Sequence, residues 1–127
     1  MEYEETEGRK ILHLRHTHVA EVRLRPTFGL RLSNGVVLDY TGTVTRTIGS
    51  IKAPGASPRS LTDMDAAEVD ALRNTTPLSW VVFNSGGQRI VLSDQWHLAV
   101  RPGPGDSWRL DLADGRVLTY PPTSTAT

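Results

Sequence analysis

Three histidines near the start of the chain are its best candidates for binding a metal ion. They are His13, His16 and His18. Imidazole nitrogens hold zinc when two or three of them converge on one ion at about 2.1 Å. On a strand, His16 and His18 would share one face and His13 would point to the other. A third ligand would then come from elsewhere in the chain, such as His97 or Asp94. The spacing matches no closed zinc motif, so we expect polar surface histidines, with a small metal-dependent enzyme as an alternative.

Asp94 and His97 form a second pair with catalytic chemistry, because they stand three residues apart. A carboxylate beside an imidazole supports acid–base catalysis when a nucleophile lies within hydrogen-bonding distance. No serine occupies a nucleophile-elbow motif, and Ser85 lies in a plain glycine turn. The chain also has no glycine-rich phosphate loop. The sequence therefore predicts no catalytic residue and no cofactor.

Basic residues are concentrated between positions 9 and 59, where nine Lys and Arg stand against two acidic residues, although the whole chain has a formal net charge of zero. Alternation places Arg23 and Arg25 on one strand face, and Arg31 joins them on the next strand. A basic sheet face lined with aromatic rings binds single-stranded nucleic acid. This stretch holds only two aromatic residues. We expect a solvated strand face, and nucleic-acid binding through residues 9–59 is an alternative.

Further candidate binding residues lie in a loop, a helix and two strands. A loop rich in Pro and Gly over 49–60 carries basic residues, and the helix that follows is acidic in its first turn. Strand tryptophans pack in a core by default, whereas an exposed one anchors a protein partner. The candidate binding residues are Arg23, Arg25, Arg31, Lys52, Arg59, Asp63, Asp65, Trp96 and Trp108.

Three similar hairpins supply the framework for these residues. Each has an apolar-alternating run, a glycine turn and a second apolar-alternating run, over 29–40, 80–92 and 108–120. Asn34-Gly35 and Asp114-Gly115 favour type I′ turns. The sequence therefore predicts an all-β fold bordering on α+β: an antiparallel hairpin and meander sheet with one short α-helix near residues 62–73, which Asn74 can close.

The chain divides into one domain and two tails by composition. We expect a flexible acidic tail over 1–8, a single β-rich domain over 9–120 that contains the 49–60 loop, and a disordered tail over 121–127. The absence of cysteine excludes disulfides and thiolate sites. The start is acidic and polar, and no apolar run approaches the length of a membrane span. These features favour a cytoplasmic protein without membrane contact.

Two motifs resemble a family of small actinobacterial β-rich proteins whose function is unassigned. They are Asp106-Ser-Trp108 followed by Asp114-Gly-Arg-Val-Leu-Thr-Tyr-Pro-Pro122, and Leu30-Arg-Leu-Ser-Asn-Gly-Val-Val-Leu38. The resemblance spans roughly residues 18–122 and implies no active site. Small β-rich families of this kind resemble immunity proteins encoded beside polymorphic toxins, by analogy of size and class.

The missing catalytic motifs, the opposed charge of the two halves and the tryptophan-rich strands favour one functional class. We expect a non-enzymatic protein-binding module, in an immunity-type or regulatory role. An open sheet edge would also permit a homodimer.

Overall fold

The protein is described by a computed structural model over residues 3–14, 16–48, 59–60, 66–93 and 96–121. Across those ranges the chain is mostly β with one short helix, which confirms the predicted fold class. The helix α1 covers Ala66–Asp70. The strands are β1 Tyr3–Thr6, β2 Arg9–Leu12, β3 Val19–Arg23, β4 Phe28–Leu32, β5 Val37–Tyr40, β6 Val44–Ile48, β7 Arg59–Ser60, β8 Pro77–Phe83, β9 Gln88–Leu92, β10 Trp96–Val100, β11 Trp108–Asp111 and β12 Val117–Tyr120.

The strands form two antiparallel sheets. One has seven strands in the order β1-β2-β8-β9-β10-β6-β7, and the other has five in the order β12-β11-β5-β4-β3. The chain passes between the sheets after β2, β5 and β10. The third passage contains Pro102 and Pro104, and proline cannot donate a ladder hydrogen bond. The predicted C-terminal meander is therefore divided, with β8–β10 in the first sheet and β11–β12 in the second.

The three glycine hairpins share one turn geometry, which differs from the type I′ turns predicted at Asn34-Gly35 and Asp114-Gly115. In each, the amide of a glycine donates to the carbonyl three residues earlier: Gly35 to Leu32, Gly86 to Phe83 and Gly115 to Leu112, at 3.0–3.1 Å. The glycines have φ of 101°, 98° and 92°, but neither Asn34 nor Asp114 has positive φ. A type I turn followed by a left-handed glycine fits this pattern, because it needs only one residue with positive φ.

Alternation along the strands builds a single core between the sheets. The buried side chains of both sheets belong to one hydrophobic cluster, so the sheets pack face to face. Trp80, Leu38, Ile90 and Leu110 are fully buried within it. Leu72, which follows α1, is also fully buried, so the segment after the helix closes part of this core.

The structure differs from the predicted tail at residues 1–8. Tyr3–Thr6 forms strand β1, which pairs with β2 from Tyr3↔Leu12 to Thr6↔Arg9. Gly8 makes the reversal possible with a φ of 76°. Lys10 Nζ lies 3.5 Å from Glu5 Oε2, and Tyr3 packs against the core. Backbone hydrogen bonds to β2 and partial burial thus hold Tyr3–Thr6 in a strand, although its acidic composition predicted a flexible tail.

The predicted helix near 62–73 is present as α1 Ala66–Asp70, followed by turns to Asn74. Asn74 has a φ of 70° and ends the helical segment in the left-handed conformation that the sequence predicts. Of the predicted loop over 49–60, the structure describes only β7. Residues 61–65 and 122–127 lie outside the described residues. Among the helices that the structure describes, none is long and apolar enough to cross a membrane.

Candidate functional site

The histidines of the N-terminal half do not share a strand face. β2 ends at Leu12 and β3 begins at Val19, so all three lie in the connection between the sheets. His16 has a φ of 56°, a left-handed turn conformation, and His13 and His18 are exposed. The strand geometry considered for these histidines does not apply, because the chain leaves one sheet and enters the other at this point.

The structure gathers no metal site from its described residues, in which no three His, Asp or Glu side chains come together around an ion position. His97 lies on β10, whereas His16 and His18 lie in the connection before β3. Asp94, the other ligand considered from the sequence, lies outside the described residues.

The strand face that the sequence predicts to be basic is electrically balanced. Arg23 Nη2 donates to Asp39 Oδ1 at 2.7 Å, and Arg31 Nη2 donates to Glu21 Oε2 at 3.2 Å. These side chains project from β3, β4 and β5 on the outer face of the five-stranded sheet. Arg25 follows β3 and is exposed, with no carboxylate partner in the described part of the chain. Two of the three predicted arginines, Arg23 and Arg31, therefore form ion pairs with carboxylates on neighbouring strands.

On the same face the pattern of alternating charge continues into β11. Arg109 Nε lies 2.9 Å from Asp111 Oδ1. The register sets Arg109 opposite Asp39, and Gly29 on β4 opposite the same aspartate. A Cβ at Gly29 would lie 2.8 Å from Arg23 Nη2, so the glycine leaves room for that guanidinium to cross β4. This outer face is a ladder of opposite charges on neighbouring strands.

Both candidate tryptophans are core residues rather than surface anchors. Trp96 is 4% exposed and Trp108 is 5% exposed. Trp108 Nε1 donates to the Gly86 carbonyl at 2.7 Å, which ties β11 to the β8–β9 turn. The Arg46 guanidinium carbon lies 3.4 Å from the centre of the Trp96 ring, a cation–π contact. Burial excludes either ring from direct contact with a partner in this structure.

Of the remaining predicted binding residues, the structure describes only Arg59. Lys52, Asp63 and Asp65 lie outside the described residues. Arg59 belongs to β7, at the edge of the seven-stranded sheet, where it pairs in register with Arg46.

A buried tyrosine marks the corner where the chain twice changes sheets. The Tyr40 hydroxyl donates to Asp106 Oδ2 at 3.5 Å, and the Gly103 amide donates to the same oxygen at 2.8 Å. Tyr40 is 1% exposed. Burial, together with the nearby negative charge of Asp106 and the hydrogen bond to it, raises the pKa of Tyr40 to about 12. The hydroxyl therefore stays protonated at neutral pH and serves as a donor, not as a base.

The outer face of the seven-stranded sheet has a different character. Cross-strand pairs place Ile11 opposite Val81, Val81 opposite Arg89 and Arg89 opposite Ala99. Phe83 and Val91 follow on the same side two residues along their strands. We call Ile11, Val81, Phe83, Val91 and Ala99 the apolar face; each is only half-buried. Its polar neighbours in register are Thr45, Ser79 and His97.

Two arginines lie at the end of this apolar face beside the β8–β9 turn, and a third, Arg89, lies within the face between Val81 and Ala99. Arg9 lies opposite Phe83, and the Arg89 guanidinium carbon lies 5.9 Å from the Phe83 ring centre. Continuing the Gln88↔Val100 register by one residue sets Gly87 opposite Arg101, in the same row. We call Arg9, Arg89 and Arg101 the arginine cluster; all three are exposed.

Sequence reasoning missed this cluster. Arg89 and Arg101 stand in the half of the chain that carries excess negative charge, far from Arg9 in sequence. Only the pairing β2-β8-β9-β10 brings the three together. Alternation did indicate that Arg89 faces outward, but no pattern in the chain gives the strand order.

Comparison with protein-family models, with curated proteins and with solved structures found no match. The resemblance to the actinobacterial β-rich family stays a prediction.

Proposed function

We propose that this chain is a non-enzymatic binding module that recognises another protein through the apolar face of its seven-stranded sheet. The observation that carries the proposal is the contrast between the two outer faces. On the five-stranded sheet, Arg, Asp and Glu side chains form ion pairs beside Val37 and Val117. On the seven-stranded sheet, Ile11, Val81, Phe83, Val91 and Ala99 surround the charged side chain of Arg89. In an immunity-type or regulatory role, the same face would mask a surface of the partner.

The two outer faces differ in the free energy gained when a partner covers them. The outer face of an antiparallel sheet in water ordinarily alternates with the core face and is polar. Contiguous apolar area left on a surface marks an interaction site, since covering it gains about 25 cal/mol per Å². By comparison, a partner placed on the other face would have to remove water from paired guanidinium and carboxylate groups such as Arg23 and Asp39, with little net gain.

The rigidity of the apolar face also supports the proposal. Its residues stand on central strands, and directly behind them Trp80, Val82, Ile90 and Leu98 are buried in the core. Side chains held on paired strands lose little conformational freedom on binding, which favours affinity.

A site-specific crosslinking experiment tests the proposal. A photoreactive phenylalanine is placed at Val81, and in a control variant at Val37, a half-buried valine on the outer face of the other sheet. Each variant is irradiated in an extract of the cells that produce the protein. We expect a discrete adduct of one mass with the Val81 probe and none with the Val37 probe. No adduct at Val81, or equal labelling at both positions, would contradict the proposal.

A further inference from the structure

We propose that the partner presents an acidic, extended segment, and that Arg9, Arg89 and Arg101 bind its carboxylates around the Phe83 ring. The inference rests on the proposed function, because it assigns the chemistry of the partner that covers the apolar face. It goes further in predicting which residues select that partner and what sequence the partner carries.

The first support is the state of the arginines. In the described part of the chain, none of the three forms an ion pair. Arg9 Nε donates only to Thr6 Oγ1, at 3.4 Å, and Arg89 contacts the Phe83 ring. Exposed arginines elsewhere, such as Arg109 and Arg116, lie 2.9 and 3.3 Å from carboxylates of their own chain. The cluster is therefore a local excess of positive charge on a chain of zero formal net charge.

The second support comes from the groups around the arginine cluster, which are few carboxylates and several apolar side chains. The carboxylate nearest by register is Glu4, which is exposed on the edge strand β1 and pairs with Ile11 of β2. Glu7 is also exposed, in the β1–β2 turn, where the Asn84 amide donates to the Gly8 carbonyl and so sets this turn beside the β8–β9 turn. With Glu4 and Glu7 counted, the surface keeps one positive charge. The charged groups border an aromatic ring and aliphatic side chains, so a partner covers apolar area and meets guanidinium groups in one contact. Arginine and aromatic residues are the types enriched where binding energy is concentrated.

The spacing of the cluster fits an extended ligand. Arg9 and Arg89 stand two strands apart and two residues out of register, about 12 Å between backbones. Arg101 follows β10 directly and is the diagonal neighbour of Arg89, about 7–8 Å away. Alternate residues of an extended peptide are about 7 Å apart and point to one side. Long arginine side chains can make up the difference between the spacing of the arginine backbones and the spacing of alternate peptide residues. Each guanidinium can hold a carboxylate with two parallel hydrogen bonds. Glutamates at every second position would thus meet the cluster.

The surroundings favour a protein segment over nucleic acid. A single-stranded nucleic acid needs a continuous basic groove and several aromatic platforms. Here Phe83 is the one aromatic side chain of the described apolar face, and the neighbouring rows are Ile11, Val81 and Val91. Aliphatic side chains of a peptide fill such a surface, whereas phosphodiesters leave it uncovered.

The test uses the full chain and three defined probes. The first is a fluorescent peptide in which glutamate and valine alternate, the second replaces each glutamate with lysine, and the third is an oligothymidylate of similar length. Binding is followed by fluorescence anisotropy in the wild type, in Arg89→Glu and in Arg25→Glu. Arg25 is the matched control, because it is exposed and lacks a carboxylate partner in the described chain but lies after β3.

We expect saturable binding of the acidic peptide, weakened about tenfold by Arg89→Glu and unchanged by Arg25→Glu. Binding should also weaken as salt is added. Absence of binding, equal loss in both variants, or preference for the lysine peptide or the oligothymidylate would overturn the inference. A dimer of the free protein that Arg89→Glu dissociates would overturn it in favour of a second copy.

The outcome is separable from that of the proposed function. If the Val81 crosslink forms and persists unchanged in Arg89→Glu, the apolar face binds a protein and the acidic chemistry assigned to it is wrong. If no crosslink forms while the acidic peptide still binds at Arg89, the arginine cluster recognises carboxylates and the module function is wrong.

Discussion

Alkaline pH should destabilise the protein through one side chain, Tyr40, and Tyr40→Phe should remove that sensitivity. The hydroxyl is buried at the corner between the sheets, with Asp106 Oδ2 at 3.5 Å. An ionised phenolate there would lie beside a carboxylate and away from water. Folding therefore favours the neutral form, and its pKa rises from 10.0 to about 12.

The raised pKa sets both the sign and the size of the effect. A group whose folded pKa exceeds its unfolded pKa stabilises the protein fully below the unfolded value, and this stabilisation is lost as pH rises towards the folded value. Each pKa unit corresponds to about 1.4 kcal/mol. With the two values at 10.0 and about 12, the loss is about 1.4 kcal/mol at pH 11 and approaches about 3 kcal/mol above pH 12.

Urea unfolding at pH 8, 10 and 11 measures this loss in the wild type and in Tyr40→Phe. At pH 8 the variant should lose only about 1 kcal/mol, because the hydrogen bond to Asp106 is long and the Gly103 amide still donates to that carboxylate. Between pH 8 and 11 the wild type should lose about 1.4 kcal/mol more than the variant. Other titrating groups are common to both proteins and cancel. Parallel pH profiles would refute the assignment of the shift to Tyr40.

Three further substitutions test the packing by urea unfolding. Leu72→Ala should cost about 2–5 kcal/mol, because the leucine is fully buried beside the core, and a cost under 1 kcal/mol would mean that the segment after α1 does not close it. Gln88→Leu should cost about 1–3 kcal/mol, because it leaves the buried Trp80 indole without the acceptor that now lies at 2.7 Å; an unchanged midpoint would contradict this hydrogen bond. Gly29→Ala should push the Arg23 guanidinium off its carboxylate partner at a cost below about 1 kcal/mol, since the methyl group meets the far end of a flexible side chain in an exposed ion pair. A larger loss would show that the backbone of β4 moves instead.

Local patterns predicted the elements of this fold well. Alternation located the six strands of the three predicted hairpins, and β9 matches its predicted range Gln88–Leu92. It missed β1 and β7, which fell in the predicted tail and the predicted loop. Glycine located the three hairpin turns, because only a left-handed residue closes them. The turn type was wrong, since Asn34 was expected at positive φ and a type I turn places that requirement on Gly35 alone.

The order of the strands within each sheet could not be predicted from the sequence. Strand order in a sheet depends on which apolar faces cover each other, and many orders bury the same residues. For that reason the balanced charge of Arg23 and Arg31 was missed, although their partners Asp39 and Glu21 were visible in the sequence. The same limit concealed the arginine cluster, whose members come from three separated segments.

The footprint of the acidic peptide on the isotope-labelled protein, mapped by amide chemical shifts in solution, tests the central claim most directly. The account predicts that shifts concentrate in β2, β8, β9 and the start of the β10–β11 connection, around Arg9, Phe83, Arg89 and Arg101. Shifts concentrated instead in β3, β4 and β5, on the charge-paired face, would contradict it.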